Sequence, residues 1–414
     1  MKRRVETVGI IGAGPSGTTL AILLRMKGVE VTLFDELKRP ALIVGESLIP
    51  AIIPILRRLG VEEKVAAIGL YKPGVSFVFG ERETIDFCFE PVGRCGLPTY
   101  AYNVPRPAFD QVLEDRATEL GVKRVPARAK LERDGSDRLK LSAETLALAP
   151  WLGGKQPDLL VDASGRSRVF ARLLEIGAEI GPRRDVAYFA HYTGFEEEQP
   201  RGQVIIGQLE RGWSWRIPHQ DRLSVGIVLN KDEAAKLGGT PKDRLEAGIE
   251  RDPVLRVAGR SRQRVSEVVP HANYQLVSNR GHGPGWAMSG DAFGFVDPML
   301  SPGLWLALRS AELLTDLLED LPSYERKMRE LIRSWMELIS YYYDGRMFAM
   351  YHTGLSMRRD YDFAPMRALH RHIETQIACM ASGGTTHRRY PRGLIKFMAD
   401  HGIRGHEPGD LAIR

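Results

Sequence analysis

Gly12, Gly14 and Gly17 stand at a spacing that lets a main chain wrap a pyrophosphate. Gly12 permits a tight turn, Gly14 lets the backbone approach the phosphates, and Gly17 lets a helix pack closely on a strand. Pro15 and Ser16 sit between them, where unpaired N–H groups and the positive dipole end of a helix favour anions. A carboxylate, Asp35, follows about twenty residues on, where it can hold adenosine ribose hydroxyls. The chemistry these residues fit is dinucleotide binding.

The elements that must position them are legible around the glycines. "VETVGIIGAGPSGTTLAILLRMKGVEVTLFDE" reads strand, turn, helix, strand, with Val8, Ile10 and Ile11 as the apolar run. Two later stretches repeat the pattern of a strand ending in an acid. Leu159 to Val161 lead into Asp162 and a Gly165 turn, and Trp286 to Met288 lead into Gly290-Asp291. "VPRPAFDQVL" opens on Arg106, whose guanidinium suits a bidentate phosphate contact, with Phe109, Asp110 and Leu113 following at helical spacing. The alternating stretch "GVSFVFGERETIDFCFEP" predicts a β-hairpin, and four runs between about 185 and 275 read as further strands. From about 303 onward the spacing of Leu and Ala turns helical.

The bulk numbers exclude several classes. The 414 residues are 43% hydrophobic and 27% charged, ordinary for a globular chain of this length. A net charge of +6 is a mild bias, and no helix-turn-helix, zinc-finger spacing or RNP-like motif accompanies it, so no nucleic-acid partner is expected. No apolar segment is long enough to span a bilayer, and the short Gly-broken run after the basic N-terminus reads as a buried strand rather than a signal peptide. Cys88, Cys95 and Cys379 show no disulfide framework and no CxxC, which predicts a reduced, cytoplasmic setting. His370 and His372 stand two apart, off a common helix face and without a carboxylate at ligand spacing, so no metal site is expected.

With its acid-tipped strands, the chain resembles the FAD-dependent aromatic hydroxylase superfamily, of p-hydroxybenzoate hydroxylase type. The resemblance implies FAD as cofactor, with Asp291 on the ribityl chain, Asp162 supporting the flavin and phosphate region, and Arg106 near the pyrophosphate. It implies an α/β architecture: a discontinuous Rossmann-like FAD-binding domain (1–75, 100–180 and 275–320), interrupted by an antiparallel-sheet substrate domain (76–99 and 185–274). A helical C-terminal region, 321–414, completes it.

Four further motifs resemble the flavin-dependent halogenase branch. "VGESLIP" matches a helix-start motif that puts Glu46 and Ser47 at the cofactor. "YKPGVSF" places Lys72 where those enzymes carry a catalytic lysine. "GWSWRIP" supplies Trp213 and Trp215, suited to walling off a flavin, and "FVDPMLSPG" supplies Pro298, Ser301 and Gly303 of a halide-binding loop. On the residues alone, the tryptophans could merely pack an apolar wall and Lys72 could be an exposed hairpin residue.

Pro302 decides the expected branch chemistry. A halide loop offers backbone N–H groups after the serine, and proline has none. The expected loss is about 1.5–3 kcal/mol, one to two decades in halide affinity. Leu300 also stands where tryptophan halogenases have a glutamate. The reading is therefore an FAD-dependent monooxygenase that hydroxylates an electron-rich indole, phenol or pyrrole through a flavin hydroperoxide. Halogenation with Lys72 delivering hypohalous acid is the alternative, and a geranylgeranyl-reductase-like oxidoreductase or a non-catalytic flavoprotein also remains open. The substrate would be a small aromatic or one tethered to a peptide or carrier protein. With no second GxGxxG unit, a separate flavin reductase is a candidate partner.

Overall fold

The computed structural model describes residues 4–413 except 37–41, 80–82, 136 and 197–199; of 273 and 274 it describes the backbone. The strand Thr7–Ile11 lies inside a six-stranded sheet, flanked by Glu30–Phe34 and Leu159–Asp162 in parallel register, with Ile11 opposite Phe34 and Asp162. Lys123–Val125 extends the sheet on one side, and Trp286–Met288 with the short strand His282–Gly283 on the other. The central strands are almost continuously buried, as a parallel sheet covered on both faces requires. The helix Pro15–Met26 is buried from Ser16 to Leu24 because it packs between the helices Arg106–Glu119 and Pro302–Asp316. The carboxyl ends of Thr7–Ile11, Leu159–Asp162 and Trp286–Met288 thus lie side by side, the edge where open α/β sheets bind ligands.

A second sheet is built around the 16-residue strand Ala178–Thr193, which pairs antiparallel with Leu223–Asn230 and Val269–Ser278. Gly212–Pro218 and Val204–Leu209 continue it. The expected hairpin forms from Gly74–Phe79 and Glu83–Cys88, with Phe77 opposite Ile85; its turn lies outside the described residues. It joins the sheet by a parallel pairing, Val75 to Val78 alongside Val204 to Gly207. Residues 231–258 depart from the expected run of strands by carrying three helices. The middle one, Pro241–Arg251, starts at a Thr240–Asp243 capping box. Its Leu245 and Ile249 pack on Tyr188, Tyr192 and Ile227, so these helices cover one face of the sheet and leave the other for the cavity.

The helical C-terminal part begins with Pro302–Asp316 and Leu321–Tyr343, whose Trp305 and Trp335 rings sit 5.9 Å apart. Three more helices follow: Arg346–Asp360, Ala364–Ala381 and Arg389–His401. Two expectations are corrected here. Cys95 and Cys379 are joined as a disulfide across 284 residues, Cα to Cα 6.3 Å, while Cys88 is free. A pair so distant in sequence leaves no spacing signal. His370 also has a carboxylate one helical turn on, Glu374, at 3.3 Å, and His372 contacts the Tyr390 hydroxyl at 2.7 Å. Among the described residues, no helix is long and apolar enough to cross a membrane.

Candidate active site

One cavity, of about 340 Å³, opens where the two sheets meet, and most of the sequence-predicted residues line it. Gly14, Pro15 and Ser16 form one wall. A side chain at Gly14 would meet nothing within 4 Å, so the bare backbone there faces open space. Gly12 and Gly17 lie behind it, and a Cβ on Gly17 would fall 2.0 Å from the Gly12 carbonyl oxygen. These two glycines hold strand and helix together while Gly14 gives access. Arg106 lines the same wall, fixed by paired contacts to the Asp110 carboxylate (3.2 and 3.3 Å) and by a bond to the Val44 carbonyl. Asp291 also opens on the cavity. Burial pushes its carboxyl up to about 6, against the charges of Arg166 and Arg106.

Two predicted cofactor residues stand apart from the lining. Asp35 follows the strand that ends at Phe34, and Arg124 holds its carboxylate at 2.7 Å. Asp162 is fully buried and accepts hydrogen bonds from the Ser164 N–H, the Ser164 hydroxyl and the Phe170 N–H. It shapes the Gly165 turn. Burial pushes its carboxyl up while those bonds pull it down.

The other wall comes from the second sheet. In the extended strand Gly212–Pro218 alternate side chains share a face, so Trp213, Trp215 and Ile217 all line the cavity. The indoles are 5.9 Å apart; the Trp213 N–H donates to the Tyr343 hydroxyl, which donates to Asp297 at 2.8 Å. Ala187 and Phe189 line the cavity from the adjacent row. Arg166 and His271, not singled out from sequence, add a polar edge at 2.8 Å from each other; burial holds the His271 ring at about 4.

Pro298, Leu300, Ser301, Gly303 and Leu304 close the cavity. Leu300 and Ser301 both have left-handed backbones (φ 67° and 58°), a strain of roughly 1–2 kcal/mol each for residues with side chains. The loop is held by Ser301 N–H to the Pro298 carbonyl and Met299 N–H to Asp297. Pro302 is the first residue of the helix Pro302–Asp316, where an N–H has no intrahelical partner and proline is favoured. The next first-turn N–H groups, at Gly303 and Leu304, belong to residues that line the cavity.

Glu46 and Ser47 line the cavity from an extended segment; the helical turn expected there begins later, at Pro50. Lys72 is 1% exposed and does not line the cavity itself. Its ammonium donates to the Ser47 hydroxyl (2.7 Å) and the Leu48 carbonyl (2.9 Å) and lies over the Phe89 ring. Burial without a counter-charge lowers it to about 7. The exposed-hairpin reading of Lys72 is thereby excluded. The Glu46 carboxylate meets the Nε2 of His191 at 2.7 Å and of His219 at 3.3 Å. Burial would raise it, but the two rings outweigh that and hold it at about 2. Among the described residues this is the one His/Cys/Asp/Glu cluster compact enough to hold a metal ion. The short His191 contact is a hydrogen bond donated by the ring.

Comparison with known proteins gives the family and the fold. An FAD binding domain profile covers residues 5–146, and the tryptophan halogenase profile covers residues 91–391. The chain belongs to the tryptophan halogenase family. It is 30% identical to the tryptophan 2-halogenase of Chondromyces crocatus over 73% of its length, although it spans only 59% of that protein. It is 31% identical to the 1H-pyrrole-2-carbonyl-[peptidyl-carrier protein] brominase of Pseudoalteromonas luteoviolacea, covering 75% of this chain and 77% of the brominase. The flavin-dependent brominase Bmp2 has the same fold, with a TM-score of 0.76 at 24% identity over 96% of this chain and 98% of Bmp2. The halogenase PltM, a variant of which is seen with FAD, aligns at TM-score 0.70 and 15% identity over 99% and 94% of the two chains.

FAD is the cofactor of this halogenase-family chain, and the open Gly14 backbone, Arg106 and Asp291 fit its phosphates and ribityl hydroxyls. The expectation of aromatic hydroxylation is overturned, since these relatives are halogenases. It rested on a donor missing at Pro302. Proline removes one first-turn donor, while Gly303 and Leu304, which follow it into the cavity wall, keep theirs.

Proposed function

We propose that the chain is an FAD-dependent halogenase acting on an electron-rich aromatic ring, with Lys72 as the group that carries the halogen to it. The observation that carries this reading is the fully buried Lys72 amine, lowered to about 7, one hydrogen bond behind the cavity through Ser47. Bound and reduced, FAD would activate dioxygen and convert halide into hypohalous acid. The Trp213, Trp215 and Phe189 wall keeps bulk water from that chemistry. Gly303 and Leu304 offer backbone N–H groups to the halide. Half-deprotonated near neutrality, Lys72 has a lone pair that takes the halogen from hypohalous acid: an N–X bond forms, the O–X bond breaks and water leaves. The aromatic carbon then takes the halogen, and its proton departs.

The substrate fits the indole, phenol or pyrrole class. A ring tethered to a carrier protein is supported by the likeness to the carrier-dependent pyrrole brominase, and the exposed Arg358, Arg359, Arg388 and Arg389 would favour an acidic carrier. Reduced FAD would come from a separate reductase. Incubation with reduced FAD, oxygen, bromide or chloride, and free and carrier-bound aromatics tests this by mass spectrometry. Halogenated product that disappears in Lys72→Met is expected. Oxygenated product with no halogenation would overturn the reading.

A further inference from the structure

Halogenation needs protons in a place that must stay dry. Reduced flavin anion, dioxygen, halide, an aromatic C–H and two protons give oxidised flavin, a C–X bond and two waters. Four electrons reduce the dioxygen, two from the flavin and two from the halide and C–H pair. The protons must enter without opening the cavity to water, and a second cavity lies on the far side of one of its walls.

That outer cleft, of about 200 Å³, is lined by His219 together with Arg201, Gln220, Asp221 and Arg222. The flavin cavity is lined by Glu46. The two are linked by a contact, His219 Nε2 to Glu46 Oε1 at 3.3 Å, with both side chains almost completely buried (1% and 3% exposed). His191 meets the same carboxylate oxygen at 2.7 Å, and its ring lies edge-on to His219 at 5.5 Å. The placement follows from strand alternation. His219 continues the row Trp213, Trp215, Ile217, and His191 continues the row Ala187, Phe189, so each imidazole ends a line of cavity-wall residues. Nε2 of His219 faces the Glu46 carboxylate at 3.3 Å, and its Nδ1 has no hydrogen-bond partner among the described residues, so one nitrogen is open while the other meets the acceptor.

We infer that His219, Glu46 and His191 form a proton relay from the outer cleft into the flavin cavity. The proton binds His219 at the cleft, crosses to the Glu46 carboxylate, whose low proton affinity makes it a point of transit rather than a store, and leaves into the cavity. His191 holds that carboxylate in line, its own backbone N–H tied to the Ser266 hydroxyl. The other charged groups facing the relay are Arg106 and Asp291 on the cavity side, Lys72 behind Ser47, and Arg264 at the Ser266 carbonyl. Glu196, Arg201, Asp221 and Arg222 line the cleft.

The proton count rests on the halogenase reading, but the path itself needs only FAD in the cavity, and the tests separate the two. In the first, the holoenzyme is reduced anaerobically in weak buffer. Flavin bleaching and a pH indicator are followed together, since two electrons and one proton convert bound FAD to its reduced anion. Proton uptake should keep pace with bleaching in the wild type. In His219→Ala and Glu46→Gln it should lag about 10²-fold or more, the typical contribution of a positioned proton-transfer group. Imidazole, small enough for the cleft, should restore the rate in His219→Ala and leave the wild type unchanged. The second test repeats the comparison under turnover, with a larger solvent isotope effect expected in both variants. Unchanged uptake in variants that retain FAD would overturn the relay even if halogenation proceeds. So would a failure of imidazole to rescue His219→Ala while the volume-conserving His219→Gln behaves as wild type. A stoichiometric metal ion lost with Glu46→Gln would overturn it too, by assigning the cluster to coordination. An absence of halogenated product, with uptake behaving as expected, would count against the halogenase reading alone.

Discussion

At its glycine end the cavity is made of backbone, and at its Lys72 end it is made of side chains. The first wall uses Gly14 for access and Gly12 and Gly17 for close packing, all within one strand–turn–helix unit. The second draws on Glu46, Ser47, Trp213 and Ser301, with Lys72 and His191 bonded behind Ser47 and Glu46, all brought together from segments far apart in the chain. A backbone wall fails by steric exclusion, and a side-chain wall fails by lost chemistry with the fold intact. The two ends should therefore break in different ways.

The largest expected effect is at the glycine end. Gly17→Val puts a side chain into the Gly12 carbonyl, where 2.0 Å is available, so strand and helix must separate. The cost expected is above about 4 kcal/mol, with FAD absorbance lost from the purified protein. Gly14→Ala meets no atom within 4 Å, so it should fold normally and lose FAD affinity only through the methyl's intrusion on the cofactor. A Gly17→Val protein that keeps its flavin and melting temperature would erase the contrast.

Lys72→Met is the matching break at the other end. It keeps the side-chain volume and removes the amine. Halogenated product should fall on the order of 10³-fold with FAD binding unchanged. Stability adds a second reading. Burial lowers Lys72 from 10.5 to about 7, so from about 7 to 10.5 the unfolded chain binds the proton that the folded chain lacks. Wild-type stability from this group rises with pH across that window. The Tm of Lys72→Met relative to wild type should climb as pH is lowered from 10.5 to 7 and level off below.

The same amine sets a smaller effect in the wild type. If the neutral form takes the halogen, product formation should fall about tenfold per pH unit below about 7 and be flat above it. A profile flat from pH 6 to 8 would mean that the protonated form serves, acting as a hydrogen-bond donor.

The two ends also differ in how far they can be read in advance. Glycine spacing, the flanking strands and the helix are contiguous, so their physics is local and visible in one window of sequence. The alternation of Trp213, Trp215 and Ile217 is visible for the same reason. The pairing of Glu46 with His191 and His219 spans 145 residues and more, and no local pattern encodes it. The Cys95–Cys379 bond and the three helices at 231–258 were missed for related reasons. The disulfide is set by tertiary packing. The helices interrupt a region whose flanking strand signals were strong, although Thr240, Pro241 and Asp243 form a capping signal that could have found the middle one. Asp35 was equally legible from its position after a strand, and the structure adds what sequence does not show, that Arg124 holds one of its carboxylate oxygens.

Pro302 joins the two kinds of wall, since it is a backbone residue in the side-chain end. Its ring fixes φ at the first turn of the helix and so narrows the unfolded chain, which stabilises the start of a helix next to a loop strained at Leu300 and Ser301. Pro302→Ala adds one N–H donor and gives up that restriction, a loss of about 0.4–1 kcal/mol in the loop. A new hydrogen bond to halide contributes about 1.5 kcal/mol or more, so the donor outweighs the lost rigidity if it points inward. The expected result is an apparent halide KM lowered several-fold at unchanged kcat, read from product formed against bromide or chloride concentration. An unchanged halide KM with a lower Tm would place the new N–H away from the ion and leave halide binding to Gly303 and Leu304.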